Sequence, residues 1–514
     1  MKRLRGFLVL PFVLLLVLTT AACTSGGDGE YELNNDGELV VAMSGEYRPF
    51  NYVENGKLTG FDYDIAKALA DDLGLKLVTK TAGFATLVEG TAQGRYDMLV
   101  ASTTANVERA QVVDFARGYY SSGAQVHVKK GQPCKPLKEM DNPQVGVANG
   151  TTYHEYLKKN EITNQIKTYE ADATALEDTA AGRLDAALTD RLLGKFHIKH
   201  AGLDLEPCGE PLTHETMAPA IGKGKPKLLA AVNKSMDKIL SDGTYAKISK
   251  KWFGEDISPK IDQDEVDKVM AQASDEVQTK PLIDIFTEYF PVFVKAAGWT
   301  LAVTGVALII AVALGSVIAW MNMSSILPLR WLAVGFIGLI RGTPLIAQLF
   351  VLYFGLTQLV LLNSFWAGAI ALAIHNSAYI AEIVRSGFSS VPPGLVEASR
   401  SLGLSRLKTL RWIQVPLATR TILPVLGNQF IIAVKDSSLV AFIGMAELFR
   451  EAQNTAAAEF APLKAYLIVS IYYLVIVLVL TGIVHMLERW MDVEAKAKRN
   501  EMKKLKQTEG MAAA

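Results

Sequence analysis

The sequence is poor in soft metal ligands, with three cysteines and seven histidines in 514 residues. A cysteine–histidine metal site needs more ligands than the pattern supplies. It also lacks an excess of either charge. Its 52 lysines and arginines balance 52 aspartates and glutamates, so nothing points to a nucleic-acid partner. No G-x-x-x-x-G-K-[ST] stretch occurs, and the cluster GKGKPK at Gly222 to Lys227 lacks both the spacing and the final hydroxyl of a phosphate loop. What the chain does have is apolar residues, half of the total and unevenly spread. Up to about Lys280 the sequence is mixed and charged; beyond it long apolar runs dominate. The length exceeds that of one ordinary domain. A soluble part joined to a membrane part follows.

The N-terminal segment reads as a leader. Lys2, Arg3 and Arg5 precede the apolar run Phe7 to Leu18, which ends in Thr20, Ala21 and Ala22. That is the layout of a secretory signal over residues 1–23. Cys23 then opens a Ser/Gly/Asp-rich tether, 24–37, in the manner of a lipoprotein acceptor site, although Thr20 stands where leucine is usual. Lipidation, ordinary cleavage and retention as an anchor all place the following domain outside the membrane. Cys134 and Cys208 remain, and in an oxidising compartment such a pair is expected as a disulfide.

From 38 to 254, buried-strand patterns alternate with helical ones. LVVAM at Leu39 reads as a strand, FDYDIAKALADDLG from Phe61 as an amphipathic helix ending near Gly74. YDMLVAS, PQVGVANG and LDAALTD have the form strand, turn, helix. The alternation predicts parallel sheets covered by helices, with ligands at the carboxyl ends of the strands.

Six strings occur in one order: VAMSGEYRPFNY, GFDYDIAKALA, GRYDMLVASTTANVERAQVVDFARGYY, VGVANGTT, GRLDAALTD and DGTYAKISKKWFG. Together they resemble the polar-amino-acid family of bilobed extracellular solute-binding proteins. The resemblance implies an α/β bilobed periplasmic-binding-protein-like domain (type II), with hinge crossings near Gln125 to Val128 and Met217 to Ile221.

The family's binding positions carry over residue by residue. Arg109 matches the arginine that clamps the ligand's α-carboxylate, a bidentate task that suits a guanidinium. Gly150, Thr151 and Thr152 match the turn facing the same carboxylate at a helix N-terminus. Asp190 matches the acceptor of the α-ammonium, Ser102 and Thr104 the polar residues beside the charged end, and Tyr47 and Phe84 the apolar walls. Taken singly, Arg109 could be a surface ion pair, Thr151 and Asp190 helix caps, and Phe84 core. Ser44 stands where relatives that bind cationic amino acids carry aspartate. Arg48 and His154 fall near the expected mouth, either favouring an acidic or amide side chain or standing as solvated surface. The ligand expected is a neutral or acidic amino acid, such as glutamine or glutamate.

A polar linker, 255–285, leads into five apolar segments within 286–490. These are Val292 to Met321, Trp331 to Leu362, Phe365 to Ile383, Ile422 to Met445 and Ala465 to Leu487. Each is long enough to span a bilayer. With the receptor outside, five spans put the basic tail 491–514 and the basic loop 386–420 in the cytoplasm, as the positive-inside rule requires.

EASRSLGLSRLKTLRWIQVP, Glu397 to Pro416, resembles the cytoplasmic signature of ABC importer permeases, with Ser399 for the usual second alanine. The resemblance implies an all-α, five-helix type I transmembrane domain. Glu397, Ala398 and Gly403 would then lie on a short helix that docks into an ATP-binding subunit. The bare residues also fit a basic amphipathic helix on the membrane surface. RGTPLIAQLF, HNSAYIAEIVRSGFSSVPPG and KDSSLVAFIGMAEL resemble polar-amino-acid permeases, with Pro344 expected to kink or begin the second span. Asn376 and Asp436 are candidates for the solute path; Glu382 and Arg385 mark the cytoplasmic end of the third span. The resemblance implies a transport subunit rather than an enzyme, working as a homodimer with two separate ATPase subunits that bind ATP and magnesium. The chain itself would need no cofactor. Two other classes use the same binding fold, an amino-acid-responsive membrane sensor and a dehydratase. Neither accounts for the loop at Glu397.

Overall fold

The structure, a computed structural model, describes residues 30–258, 264–273, 280–355 and 362–491. The leader with Cys23, most of the tether, parts of the linker, residues 356–361 of the expected second span and the tail 492–514 lie outside the described residues.

Fifteen strands are described, all in the soluble region. In chain order they are β1 (Glu38–Met43), β2 (Glu46–Tyr47), β3 (Asn51–Glu54), β4 (Lys57–Thr59), β5 (Lys76–Thr81), β6 (Met98–Leu99), β7 (Val113–Phe115) and β8 (Tyr120–Ser122). They continue with β9 (Ala124–Lys129), β10 (Val145–Ala148), β11 (Ile166–Tyr169), β12 (Ala186–Asp190), β13 (Leu205–Cys208), β14 (Glu215–Met217) and β15 (Ala220–Gly222). Two five-stranded sheets result, in the orders β5-β1-β6-β15-β7 and β11-β10-β12-β9-β13. β1 runs parallel to β5 and β6, and β10 parallel to β11 and β12, as the βα alternation requires.

Neither sheet is purely parallel. β15 is antiparallel to β6 and β7, and β9 to β12 and β13. These are the strands that arrive from the other lobe, so they enter their sheet from the opposite direction. The crossing itself is a separate two-stranded ribbon in which β8 pairs with β14, Tyr120 opposite Met217. Of the expected hinge positions, Met217 lies in this ribbon and the others do not. Gln125 to Val128 lies inside β9, flanked by β12 and β13, and Ile221 lies in β15 of the first sheet. Backbone pairing on both sides holds them, whereas β8 and β14 form a two-stranded ribbon that gains only an isolated bridge between Met217 and Thr104.

The helix Phe61–Asp72 shows why the lobes close over a core. Phe61, Ile65, Ala66, Leu69 and Ala70 recur at helical spacing and are buried. Gly74, at φ +69°, ends the turn with a conformation that costs glycine little. Cys134 and Cys208 form a disulfide with a Cα separation of 5.3 Å, fastening the segment after β9 to the end of β13.

The membrane region has helices Leu282–Asn322, Ser364–Ser389, Arg406–Ile443 and Pro462–Leu487, each long and apolar enough to cross a membrane. The second expected span is two helices, Leu327–Arg341 and Leu345–Gly355, bent by 104°. The bend falls at Pro344, where the ring cannot continue the hydrogen-bond ladder. Counted as one span, the pair brings the total to five. The span expected from Ile422 begins at Arg406, so the signature loop runs directly into it. Small residues let the helices approach closely. Gly315 faces Ser377 O and Ile380, with no room for even a methyl group.

Candidate ligand site at the receptor–permease junction

A cavity of about 790 Å³ opens between the two lobes. Ser44, Tyr47, Phe84, Ser102, Thr104, Arg109, Thr151 and Thr152 line it. Eight positions predicted from the sequence thus converge from strands and turns far apart in the chain. Gly150 borders the site through its carbonyl, which accepts from Arg109 Nη2 at 2.9 Å. Asp190 is among the buried residues but does not line the cavity.

Arg109 sits in the four-residue helix Val107–Ala110, capped by Asn106. It is 4% exposed, and its Nη1 donates to Thr104 O at 3.0 Å. The guanidinium also lies 5.6 Å from the centre of the Phe84 ring. Burial pushes its pKa down, an effect opposed by Glu215. The two hydrogen bonds fix the plane of the fork, and the one to Gly150 O joins the lobes.

The turn at Gly150 is built by local chemistry. Gly150 has φ +75°, and a side chain there would meet Ala85 of the first lobe and Ala457 of the membrane domain. Thr151 caps the helix Thr152–Lys159, its Oγ1 accepting from His154 N and donating to Ala148 O. The positive end of that helix therefore faces the cavity.

A supporting layer went unread in the sequence. Buried Asp62 accepts from Tyr119 Oη, Asn51 Nδ2 and Ser102 Oγ at 2.7, 2.7 and 2.9 Å. Asn51 Oδ1 in turn accepts from Ser44 N and Oγ. One buried network thus sets the orientation of both Ser44 and Ser102. Burial raises the Asp62 pKa to about 6 against the pull of those three donors. Its partners lie up to 57 residues away, beyond any local pattern.

Asp190 Oδ1 accepts from Leu192 N and Leu193 N, and Oδ2 from Tyr153 Oη at 3.3 Å. It caps the helix Arg191–His200, so the cap reading holds whatever else the residue does. Arg48 and His154 do not line the cavity. Arg48 is half-exposed, paired with Glu54 at 2.8 Å and stacked on Tyr52. His154 is buried, not solvated, and burial with Lys158 and Arg450 nearby holds its pKa well down.

The lining includes four carboxylates that the sequence did not single out: Glu46, Glu170, Asp172 and Glu177. Its far wall belongs to the membrane domain, through Ile346, Phe350, Phe354, Phe442, Gln453 and Tyr466. The cleft between the lobes and the membrane domain therefore share one cavity.

Further contacts hold the two parts together. Asp178 and Arg183 form a buried ion pair at 2.8 Å, both side chains at most 3% exposed. Asp178 Oδ2 also accepts from Tyr169 at 2.6 Å and from the Tyr353 hydroxyl of the bent membrane helix. Arg183 Nη2 donates to Tyr353 O at 2.6 Å, with the guanidinium over the Tyr353 ring. Glu170 accepts from Gln453.

At the opposite end, the helix Pro393–Ser401 carries the signature. Glu397 and Ala398 are exposed and Ser399 is buried. Gly403 N donates to Arg400 O and Leu404 N to Ser399 O, with Gly403 at φ +84°. That is a Schellman termination, and it gives the glycine its reason. Leu402 and Leu407 are 82% and 77% exposed beside it. Asn376 accepts from Gln429 Nε2 at 2.8 Å, binding two membrane helices together. Neither Asn376 nor Asp436 lines the junction cavity.

Residues 39–255 match the bacterial extracellular solute-binding proteins of family 3, and residues 292–493 match the binding-protein-dependent transport system inner membrane component. The L-cystine-binding protein TcyJ of Escherichia coli (strain K12) is 35% identical over 43% of the chain and 85% of its own length. The glutamine transport system permease protein GlnP of the same strain is 43% identical over 31% of the chain and 75% of its own length. The arginine transport system permease protein ArtQ of Bacillus subtilis (strain 168) is 34% identical over 39% of the chain and 92% of its own length.

Proposed function

The chain belongs to the family of amino-acid ABC importers, as a family 3 solute-binding protein fused to an importer permease, and on that premise we propose that it captures a polar amino acid and passes it inward. The shared cavity carries this reading: one face holds Arg109, Thr151 and Thr152, and the other is membrane-domain Phe442, Gln453 and Tyr466. A ligand held by the receptor already touches the permease.

Arg109 and the helix at Thr152 take the α-carboxylate; the family match assigns the α-ammonium to Asp190, which in this structure caps a helix and stands behind the cavity lining. Tyr47 and Phe84 pack against the ligand's body, with Ser44, Ser102 and Thr104 as polar neighbours. The acidic half of the sequence expectation is not retained, because four lining carboxylates repel an anionic side chain and Arg48 and His154 lie outside the cavity. A neutral polar amino acid of the glutamine kind fits better.

The C-terminus is cytoplasmic, and the Glu397 to Gly403 helix docks on an ATP-binding subunit, which binds ATP with magnesium. Exposed Leu402 and Leu407 supply apolar contact there. Two copies of the chain form the complete permease, with Asn376 and Asp436 near the solute path. Cys23 carries a lipid that anchors the tether and receptor to the membrane, detectable as added mass on an N-terminal peptide.

The test is uptake of labelled glutamine into proteoliposomes holding the chain and a partner ATPase. Arg109→Ala should lower ligand affinity at least a hundredfold by calorimetry and abolish uptake. Normal binding by that variant would refute the site.

A further inference from the structure

The charges around the cavity do not balance against a simple zwitterion. Among the described residues, Arg109 is the one cation that lines it, and it answers an α-carboxylate. Asp190 answers the α-ammonium in the reading above, on which this inference rests. Asp172 is then left over. It opens the helix Asp172–Ala180, is 4% exposed and lines the cavity. Its Oδ1 is buried without a hydrogen-bond partner. A carboxylate so placed pays its desolvation cost without compensation unless something in the cavity donates to it. The helix N-terminus favours the negative charge but supplies no partner to Oδ1.

We propose that Asp172 is a specificity-determining residue, accepting the nitrogen-bearing end of the ligand's side chain. It selects amide-, ammonium- or guanidinium-ended amino acids over those ending in a carboxylate. Glu170 and Glu177 strengthen the bias because both line the same cavity. Burial, then Asp190, raise the Asp172 pKa to about 7, and an N–H donor or a cation in the cavity would stabilise its ionised form. Ser44, neutral where an aspartate would favour cations, does not oppose the assignment, since Asp172 supplies the missing charge from the other lobe.

The experiment is calorimetry on the full chain in detergent, with glutamine, glutamate and arginine as probes, for wild type, Asp172→Asn and Asp190→Asn. Wild type should bind glutamine or arginine at least tenfold tighter than glutamate. Asp172→Asn should cut that ratio by tenfold or more, chiefly by weakening the nitrogen-ended probe. Asp190→Asn should lower all affinities by a similar factor. An unchanged ratio in Asp172→Asn, or an equal loss for every probe, overturns the proposal, because a residue that merely shapes the cleft or holds the α-ammonium would act so. A wild type preferring glutamate also overturns it. If wild type binds no amino acid, the proposed function falls first and this inference with it.

Discussion

At the residue scale, one histidine shows how tightly the receptor's second lobe is built. His127 on β9 is 1% exposed, and burial lowers its pKa to about 4. The unfolded chain binds a proton near pH 6.5 and the folded one near 4, so stability is lost as pH falls between those values. The shift corresponds to roughly 3 kcal/mol over that window. Thermal unfolding of wild type should show this acid limb, and His127→Asn should flatten it. Gly194 lies against the same ring, a methyl group there falling 2.1 Å from Nε2. Gly194→Ala should destabilise by about 1–3 kcal/mol, read as a lower melting temperature at unchanged ligand selectivity. Arg109 was legible because its motif is local and ordered. Asp62 and Asp172 were not, since their meaning depends on which distant residues reach them.

At the element scale, two helix ends are built alike. The Gly150 turn and the Gly403 turn each use a left-handed glycine, one beside the cavity between the lobes and one closing the helix Pro393–Ser401. Gly403→Ala meets no neighbour but keeps a strained φ, a cost of about 1–2 kcal/mol. Receptor affinity should stay at the wild-type value while ligand-stimulated ATP hydrolysis and uptake fall severalfold. Calorimetry and phosphate release on the same preparation check both halves. The strand order of each lobe was only half legible. Alternating patterns mark β1, β10 and β12 as strands, but the direction of β9 and β15 depends on the crossing between lobes, which no periodicity encodes. The bent membrane pair was foreshadowed by Pro344; its angle depends on tertiary packing.

At the scale of the whole molecule, the receptor sits on its own permease through polar contacts that span the chain. Tyr353 and Asp178 are 175 residues apart, so nothing in either motif announces their meeting. Tyr353→Phe removes one donor from a buried carboxylate, worth about 1–3 kcal/mol. Ligand affinity of the receptor should hold, while uptake falls at low substrate and recovers little at high substrate. Equal uptake by wild type and variant would show that the contact is dispensable. The fusion makes the encounter intramolecular, so a weak contact of this kind suffices where a free receptor would need a stronger one.

The continuous run Arg406–Ile443 begins at the signature loop, and Phe442 at its far end lines the ligand cavity. Its 38 residues run in series through the short helix Arg406–Thr409, a π-helical turn Leu410–Gln414, the helix Val415–Asp436 with Pro424 inside it, and the tighter final turns Ser437–Ile443, the kinds of break at which a helix bends. A shift at the signature loop therefore has an unbroken chain route to Phe442, but one that can flex at those turns instead of tilting as a single rod.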